Sequence, residues 1–231
     1  SFGFKGHSPE LGLSYGDRPF PPLVSLYGRI GLHRYNLLQD TKFRLERMVK
    51  YVSTIGSPAR SYYITLKAVD GSSHNIFEVK VSEDRVNAFA LMCNIARIRG
   101  DTSPLKGVIL MDDSLPEWPP QEDPFEKHYL AKDSELADND EWIRLYVKLA
   151  VAKSGRASEI DFENLKVAMD ASDEGLNAKK ADFYIRYRDL HEDHDHVTIV
   201  RRSFVQDNGI LNLVGRTRSL ESIPEKPTFA C

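Results

Sequence analysis

The sequence predicts an α+β protein in which an antiparallel sheet packs against one long helix, followed by a second, mainly antiparallel β region. Three observations carry this prediction: an apolar helical pattern near the start, several strands of alternating polarity after it, and two hairpin turns that contain glycine. Hydrophobic residues make up 41% and charged residues 28% of the 231 residues. This balance is typical of globular proteins with a buried core.

The helical pattern covers Leu23–Leu37. Val24, Tyr27, Gly31 and Tyr35 recur at spacings of three and four, which places them on one face of a helix. A glycine inside a helix costs about 1 kcal/mol relative to alanine. Gly31 therefore indicates a place where the helix lies close to the sheet.

Strands are predicted after this helix. The first, near Phe43–Lys50, has a blurred alternation of polar and apolar residues. Ser61–Val69 alternates clearly, and Asp70-Gly71 is a strong signal for a two-residue hairpin to a return strand at Asn75–Val81. One more strand is predicted near Ala88–Arg97.

The later region has one ambiguous segment. Ile143–Val151 alternates strictly, which favours a strand, although Trp142, Leu145 and Tyr146 also fit one face of a helix. We predict the strand because the alternation explains more positions. Further strands are predicted at Leu165–Ala171, Asp182–Asp189, Val197–Phe204 and Ile210–Gly215, with the turn Asp207-Asn208-Gly209 joining the last two.

Proline and glycine divide the chain into four predicted parts. These are an irregular N-terminal arm (1–22), a first module (23–99), a linker (100–126) and a second, β-rich module (127–231). The linker contains five prolines. Proline removes a backbone donor and fixes φ, so it disfavours regular structure there.

Composition excludes several classes of protein. The net charge of -3 argues against a general nucleic-acid or membrane-surface binder, since both need a basic excess. No apolar run approaches the roughly 20 residues that span a bilayer. Two cysteines are too few for a disulfide scaffold, and Cys93 lies in an apolar run that predicts a core position. There is no Asn-x-Ser/Thr sequon, and we expect an intracellular protein of the nucleus or cytoplasm.

Clusters of charged residues offer candidate chemistry. His191–His196 holds three imidazoles and could gather zinc, but adjacent ligands in a loop rarely converge without residues elsewhere to orient them. We therefore predict a solvated hairpin tip, no metal and no cofactor. Asp138, Asp140 and Glu141 are interpreted as turn and cap residues. Four arginines are interpreted as part of a solvated sheet face: Arg201, Arg202, Arg216 and Arg218. The alternative is that they form a basic stripe that binds an acidic peptide or phosphate.

Aromatic side chains between prolines are the better contact candidates. Phe20 lies in Pro-Phe-Pro-Pro and Trp118 in Pro-Glu-Trp-Pro-Pro. Prolines hold such side chains in place, which lowers the cost of immobilising them on binding. The alternative is that Trp118 folds back onto the sheet.

Ordered motifs carry a first family resemblance along nearly the whole chain. They are Tyr27–Asn36, Tyr62–Leu66, Cys93–Arg97, Asp138–Asp140 with Trp142–Tyr146, and Phe183–Arg186. In this order they resemble a plant family named after male-sterility five, expanded in the mustard family. The resemblance implies a plant protein with no assigned reaction, some members being linked by name to pollen or embryo development.

A second resemblance covers Tyr27–Val81, which is similar to plant cystatins. Cystatins fold as an antiparallel sheet wrapped around one long helix, and inhibit papain-like proteases through a Gln-x-Val-x-Gly hairpin, a glycine near the N-terminus and a later Pro-Trp. Here the hairpin reads Val52-Ser-Thr-Ile-Gly56, so that Val52 and Thr54 replace the Gln and Val of the motif. Trp118 follows Glu117 instead of proline.

These observations predict a non-enzymatic protein-interaction or scaffold module of plant reproductive or embryo development. No nucleophile elbow, Walker loop or dinucleotide fingerprint is present. The expected partner is another protein, with neither a membrane nor nucleic acid. The predicted contact residues are Phe20, Val52, Thr54, Gly56 and Trp118. The alternative is a cystatin-like cysteine-protease inhibitor with an altered hairpin, and an enzyme using the His-rich loop ranks last.

Overall fold

Residues 19–54, 59–84, 89–101, 115, 123–154, 160–171, 175–205 and 209–220 are described in the computed structural model. The chain divides into two units, residues 1–111 with 205–212 and residues 112–204 with 213–231. Within the described ranges there are nine strands and three α-helices, in agreement with the predicted α+β class. The predicted arm and linker lie mostly outside these ranges, and their boundaries stay predictions.

The first unit follows the predicted order of helix and strands. It contains α1 (Pro22–Gln39), β1 (Arg44–Ser53), β2 (Ala59–Asp70), β3 (Ser73–Asp84) and β4 (Phe89–Ile98), with the strands adjacent in that order. The predicted hairpin is confirmed, but its two turn residues are Gly71 and Ser72, because Asp70 ends β2 and pairs with Ser73; Gly71 has φ 57°. Register shifts at Leu45/Arg47 and Met48/Lys50 bulge β1, which explains its blurred alternation.

Helix α1 packs against the four strands β1–β4. Pro22 occupies its first turn, where the missing N–H is not needed. At the other end of the helix Asp40 adopts a left-handed conformation. The side chain of Asn36 then bonds to the backbone of Phe43: its Oδ1 accepts from the N–H at 3.0 Å, and its Nδ2 donates to the carbonyl at 2.9 Å. These bonds fix where the helix ends and the first strand starts.

Gly31 marks a place where the helix lies close to the sheet. A Cβ atom at this position would lie 2.5 Å from both γ-methyl groups of Val79 on β3. The predicted close approach is confirmed, although the neighbour is a side chain and not the strand backbone. Valine is stiff at χ1, so its methyl groups cannot easily turn away.

The second unit has a helix where a strand was predicted. Its elements are α2 (Pro124–Lys127), β5 (Tyr129–Leu130), α3 (Asp133–Lys153), β6 (Phe162–Ala171), a 3-10 turn (Gly175–Asn177), β7 (Ala181–Asp189), β8 (His194–Val205) and, from Leu213 onward, β9 (Ile210–Ser219). The strand order in this unit is β9-β8-β7-β6-β5. The predicted strands at 165–171, 182–189, 197–204 and 210–215 are confirmed.

The prediction of a strand at Ile143–Val151 is wrong, because this segment lies inside α3. Eight of the residues between Trp142 and Val151 are buried in the helix. A helix that is buried on such a wide face also has apolar residues at every second position. The alternation therefore does not distinguish a helix from a strand in this segment. The described residues therefore contain two long helices, and not one.

Asp138, Asp140 and Glu141 also lie within α3 instead of in a turn before a strand. Asp140 pairs with Arg144 one turn later, with Arg144 Nε 2.7 Å from the carboxylate. The beginning of the helix is fixed by Glu135, whose carboxylate accepts from the Lys132 N–H at 2.9 Å. This is the bond that a glutamate at the third helical position makes in a capping box.

Gly31→Ala should lower the melting temperature by several degrees. The added methyl group overpacks against Val79, which costs on the order of 1–3 kcal/mol, against a gain in helix propensity of up to about 1 kcal/mol. Gly28→Ala is the matched control, because its Cβ would meet the flexible ends of Leu66 and Met48 at 3.1 and 3.2 Å. A thermal melt in which Gly31→Ala matches or exceeds the wild type would contradict this packing.

Candidate functional site

Phe20, the first of the predicted contact residues along the chain, lies against the end of strand β1. Phe20 precedes α1, and its ring lies 6.1 Å from the ring of Tyr51 on β1 at an angle of 58°. Both side chains are partly exposed. Phe20 is therefore held against the sheet by an aromatic neighbour while part of its ring remains open to solvent.

Val52 and Thr54 lie at the same end of β1. Val52 pairs with Tyr63, while the next residue, Ser53, pairs with Tyr62. Successive side chains of a strand point to opposite faces, so Val52 lies on the face opposite Tyr62. Thr54 closes the strand pair, because its N–H donates to the Ser61 carbonyl at 2.9 Å and its Oγ1 accepts from the Ser61 N–H at 3.0 Å.

We call Phe20, Tyr51, Val52 and Thr54 the hairpin-end surface. The structure brings three of the predicted contact residues to this end of the first unit. Phe20 and Val52 contribute apolar surface on the two sides of one strand. Gly56 and Trp118, predicted with them, lie outside the described residues.

A buried polar network lies beneath the hairpin-end surface. Glu83 on β3 is 5% exposed and accepts hydrogen bonds from two tyrosine hydroxyls. One comes from Tyr27 on α1, and the other from Tyr62 on β2 at 3.0 Å. The two tyrosine rings meet edge to face, with centroids 4.9 Å apart. The helix and two strands are thereby tied to one carboxylate.

Arg60 extends this network to the end of β1. Its guanidinium lies over the Tyr62 ring, 5.2 Å from the centroid, and its Nη2 donates to Ser53 Oγ at 3.2 Å. A buried carboxylate is costly unless it is hydrogen-bonded and near positive charge. Glu83 has both, since two hydroxyls donate to it and the guanidinium of Arg60 stacks on the ring of one of them.

The network changes the acidity of both tyrosines. Burial raises the pKa of Tyr27 well above the ordinary value, and the hydrogen bond to Glu83 and its charge raise it further. Burial likewise raises the pKa of Tyr62, followed by the charge of Glu83. Both hydroxyls therefore remain protonated donors in the folded protein at pH values where a free tyrosine ionises.

Sequence reasoning missed this network. Glu83 lies two residues beyond the predicted strand Asn75–Val81, and the sequence predicts Tyr27 only as part of an apolar helix face. The available signal was the glutamate itself, on a strand whose other inward residues are apolar (Phe77, Val79 and Val81, all 0% exposed). A charged residue in register with a buried face indicates a buried partner.

The histidine run is divided by the hairpin between β7 and β8. His191 and His194 are exposed, whereas His196 lies inside β8 and is 3% exposed. The prediction of a uniformly solvated tip is therefore wrong for His196. Glu192 lies 3.0 Å from His196, measured between Oε2 and Nε2, and the ring of Tyr187 stacks on the imidazole at 5.5 Å.

The predicted arginine face is also divided. Arg201 pairs with Asp182 across the strands, with Nε 2.7 Å from the carboxylate. Arg202 points to the opposite face and is 0% exposed. Its guanidinium lies 5.0 and 4.6 Å from the ring centroids of Trp142 and Phe183, and it donates to the carbonyls of Leu176 and Ala178. Arg202 therefore holds the 3-10 turn and cannot contribute to a surface stripe.

Cys93 occupies the core position predicted for it. Its side chain is 1% exposed, and burial raises the pKa of the thiol to about 11. Sγ lies 3.5 Å from the carbonyl oxygen of Ile95. A protonated, buried thiol is a poor nucleophile.

Comparisons with known proteins identify the family. The model for the family described as Protein MS5 matches residues 115–213. The UPF0725 protein At3g25080 of Arabidopsis thaliana is 47% identical over 167 residues, which cover 68% of this chain and 97% of the relative. The chain belongs to the MS5 family.

Further members of the MS5 family match over most of the chain. The UPF0725 protein EMB2204 of Arabidopsis thaliana is 35% identical over 226 residues, covering 87% of this chain and 68% of the relative. The crystal structure of MS5 from Brassica napus superposes with a TM-score of 0.69 at 28% identity, covering 87% of this chain and 100% of that one. The predicted resemblance to this plant family is confirmed, and none of these names states a reaction.

Tyr27→Phe should lower the free energy of unfolding at pH 7 by about 1.5–3 kcal/mol, the range for a hydrogen bond to a charged group. Above about pH 10 the unfolded wild type loses tyrosine protons that the folded state retains. The stability of the wild type then falls with rising pH, so its advantage over Tyr27→Phe should shrink. Urea unfolding from pH 7 to 11 measures both effects.

Tyr63→Phe is the control for the tyrosine experiment, because Tyr63 lies next to Tyr62 on β2 and faces the other way. An equal loss of stability in this variant, or a gap between wild type and Tyr27→Phe that stays constant with pH, would contradict the network.

In a Cys231→Ser background, the thiol of Cys93 should not react with a disulfide reagent in the native state at pH 8. Its raised pKa and burial keep the thiolate fraction and access low. The same protein in denaturant should react within minutes, which is the control. Rapid labelling of the native protein, followed by absorbance, would contradict the buried position.

Proposed function

We propose that this chain is a non-enzymatic protein-interaction or scaffold module that contacts its partner through the hairpin-end surface. Phe20, Val52 and Thr54 are the described contact residues of this proposal. Gly56 and Trp118, predicted with them, lie outside the described residues. We expect the partner to be another protein.

The observation that carries the proposal is the position of Phe20 and Val52 at one end of the first unit. Phe20 lies against Tyr51 on one side of β1, and Val52 lies on the other side. A strand end with apolar side chains on both sides can enter a cleft of a partner and bury both of them. Aromatic anchors contribute much of the binding energy in such contacts.

The buried network supports this use of the surface. Tyr27, Tyr62 and Arg60 connect the hairpin base to helix α1 and to Glu83. A contact surface on a fixed base loses little conformational entropy on binding, so more of the contact energy appears as affinity. Proline on both sides of Phe20 has the same effect on the segment before the helix.

Membership of the MS5 family supports a role in plant reproductive or embryo development, because some members of the family are linked by name to pollen or embryo development. We also propose that the protein acts in the nucleus or cytoplasm. Among the described residues, no helix has the length and apolar content that crossing a membrane would need.

A cystatin-like protease inhibitor is the second candidate. It is favoured by one observation: α1 packs across four consecutive antiparallel strands, the plan of the family that the segment Tyr27–Val81 resembles. We infer a cystatin-like origin for this unit and a changed contact surface, because Val52 and Thr54 replace two motif residues at the hairpin.

The partner experiment uses affinity capture from flower-bud extract with quantitative mass spectrometry. The double variant Phe20→Ala/Val52→Asp should lose a specifically bound protein by at least about tenfold, the effect of removing hot-spot residues. Val49→Asp is the matched control, because Val49 lies on the same strand and is 40% exposed. The proposal fails if the double variant keeps the protein that the wild type captures.

Papain inhibition separates the two candidates. The wild type should show no inhibition at micromolar concentration, since the apolar wedge of cystatins is altered at Val52 and Thr54. Tight inhibition that Phe20→Ala/Val52→Asp abolishes would replace the scaffold proposal with the inhibitor.

A further inference from the structure

We propose that Asp189, Glu192 and His196 form a binding site for a divalent first-row transition metal ion such as Zn²⁺. Each residue offers one ligand atom, and these three atoms all lie within 4.8 Å of one another. The site belongs to the second unit and does not depend on the proposed function of the hairpin-end surface.

The register of the β7–β8 hairpin brings the three residues together. Asp189 is the last residue of β7, and it pairs with His194. His196 pairs with Tyr187, two residues further into the sheet and therefore on the same face as Asp189. Glu192 lies in the turn between the strands and reaches back toward His196. The expectation from sequence considered only the run from His191 to His196, and it did not include Asp189.

The ligands are oriented before any ion binds. Asp189 Oδ1 accepts hydrogen bonds from the backbone N–H of His191 at 2.8 Å and of Glu192 at 3.3 Å. The ring of Tyr187 stacks on the imidazole of His196 with 16° between the planes. Residues that fix the orientation of metal ligands are an important part of natural sites. Their presence removes the objection that nothing orients the histidine run.

Burial gives the site an inner and an outer side. Asp189 and His196 are 0% and 3% exposed, and the side chain of Glu192 is 44% exposed. An ion can therefore enter past Glu192 and be held by two groups that are shielded from water. Shielding strengthens the attraction between a dication and a carboxylate.

The distances and ligand types fit a small, borderline-soft ion. Two ligands of a tetrahedral zinc lie roughly 3.3–3.5 Å apart, given bonds of about 2.0–2.2 Å. Glu192 Oε2 and His196 Nε2 are already 3.0 Å apart. One imidazole with two carboxylates suits Zn²⁺ or Mn²⁺ better than Ca²⁺, which takes oxygen ligands alone.

Charge also favours a dication at this position. Asp189 and Glu192 bring two carboxylates near each other, and like charges at this separation repel. A divalent ion neutralises both while the imidazole stays neutral. Three protein ligands leave a further coordination position for water or for a donor from another molecule.

Isothermal titration of chelator-treated protein with Zn²⁺ tests the site. The wild type should bind one equivalent. Glu192→Gln and Asp189→Asn should each weaken binding by at least about tenfold, as loss of a ligand does. Asp189→Asn retains an oxygen for the two backbone N–H groups, so the turn should keep its shape. His191→Gln, at an exposed histidine of the same turn, is the matched control and should stay within about twofold of the wild type.

A thermal melt provides the second measurement. Zn²⁺ should raise the midpoint of the wild type and of His191→Gln, and raise that of Glu192→Gln much less at the same concentration, because stabilisation by a ligand falls as its Kd rises. The proposal is overturned if the wild type shows neither binding heat nor a shift in midpoint. It is equally overturned if Glu192→Gln binds like the wild type, or if His191→Gln loses as much affinity as Glu192→Gln.

Discussion

The approach of helix α1 to strand β3 is the constraint on which the first unit depends. Three successive turns of the helix meet this strand: Tyr35 stacks edge to face on Phe77, Gly31 faces Val79, and Tyr27 donates to Glu83. Gly31 sets the separation, because no other residue leaves room for the two methyl groups of Val79. At that separation the Tyr27 hydroxyl reaches a carboxylate 56 residues away in sequence. A larger residue at Gly31 would displace the helix and lengthen that bond.

Each unit contains a buried charged side chain that hydrogen bonds and aromatic rings of the same unit stabilise. Glu83 in the first unit receives two hydroxyl hydrogen bonds, and Arg202 in the second lies between two aromatic rings and donates to two carbonyls. Burying such groups is costly, and the cost is offset only when the surrounding geometry is correct. These residues therefore favour one packing arrangement over other compact ones.

The two hairpin ends illustrate how strand register converts a local sequence into a surface. At β1 the alternation places Tyr51, which Phe20 packs against, on one face and Val52 on the other. The strand end therefore has an apolar side chain on each face. At β7–β8 the register buries His196 inside β8, whereas His191 lies in the turn between the strands and is exposed. A shift of one residue in either register would move Val52 or His196 to the other face of its strand.

Local signals in the sequence predicted the fold class, α1, the hairpin after Asp70 and the strands of both units except the two-residue β5. These features depend on the period of apolar residues and on turn chemistry, which neighbouring residues determine. The segment Ile143–Val151 was assigned to a strand because a helix buried on a wide face also satisfies period two. In this segment the length of α3 and its packing on Phe183 decided the structure.

The sequence by itself determined where Phe20, Val52 and Thr54 lie along the chain and that Cys93 belongs to the core. Only the tertiary structure decided which distant residues meet. The partners of Glu83 come from a helix and a neighbouring strand, and Asp189 joins His196 only when two strands pair in register. Composition and spacing carry no information about such contacts, because they arise from the packing of elements and not from the order of residues within them.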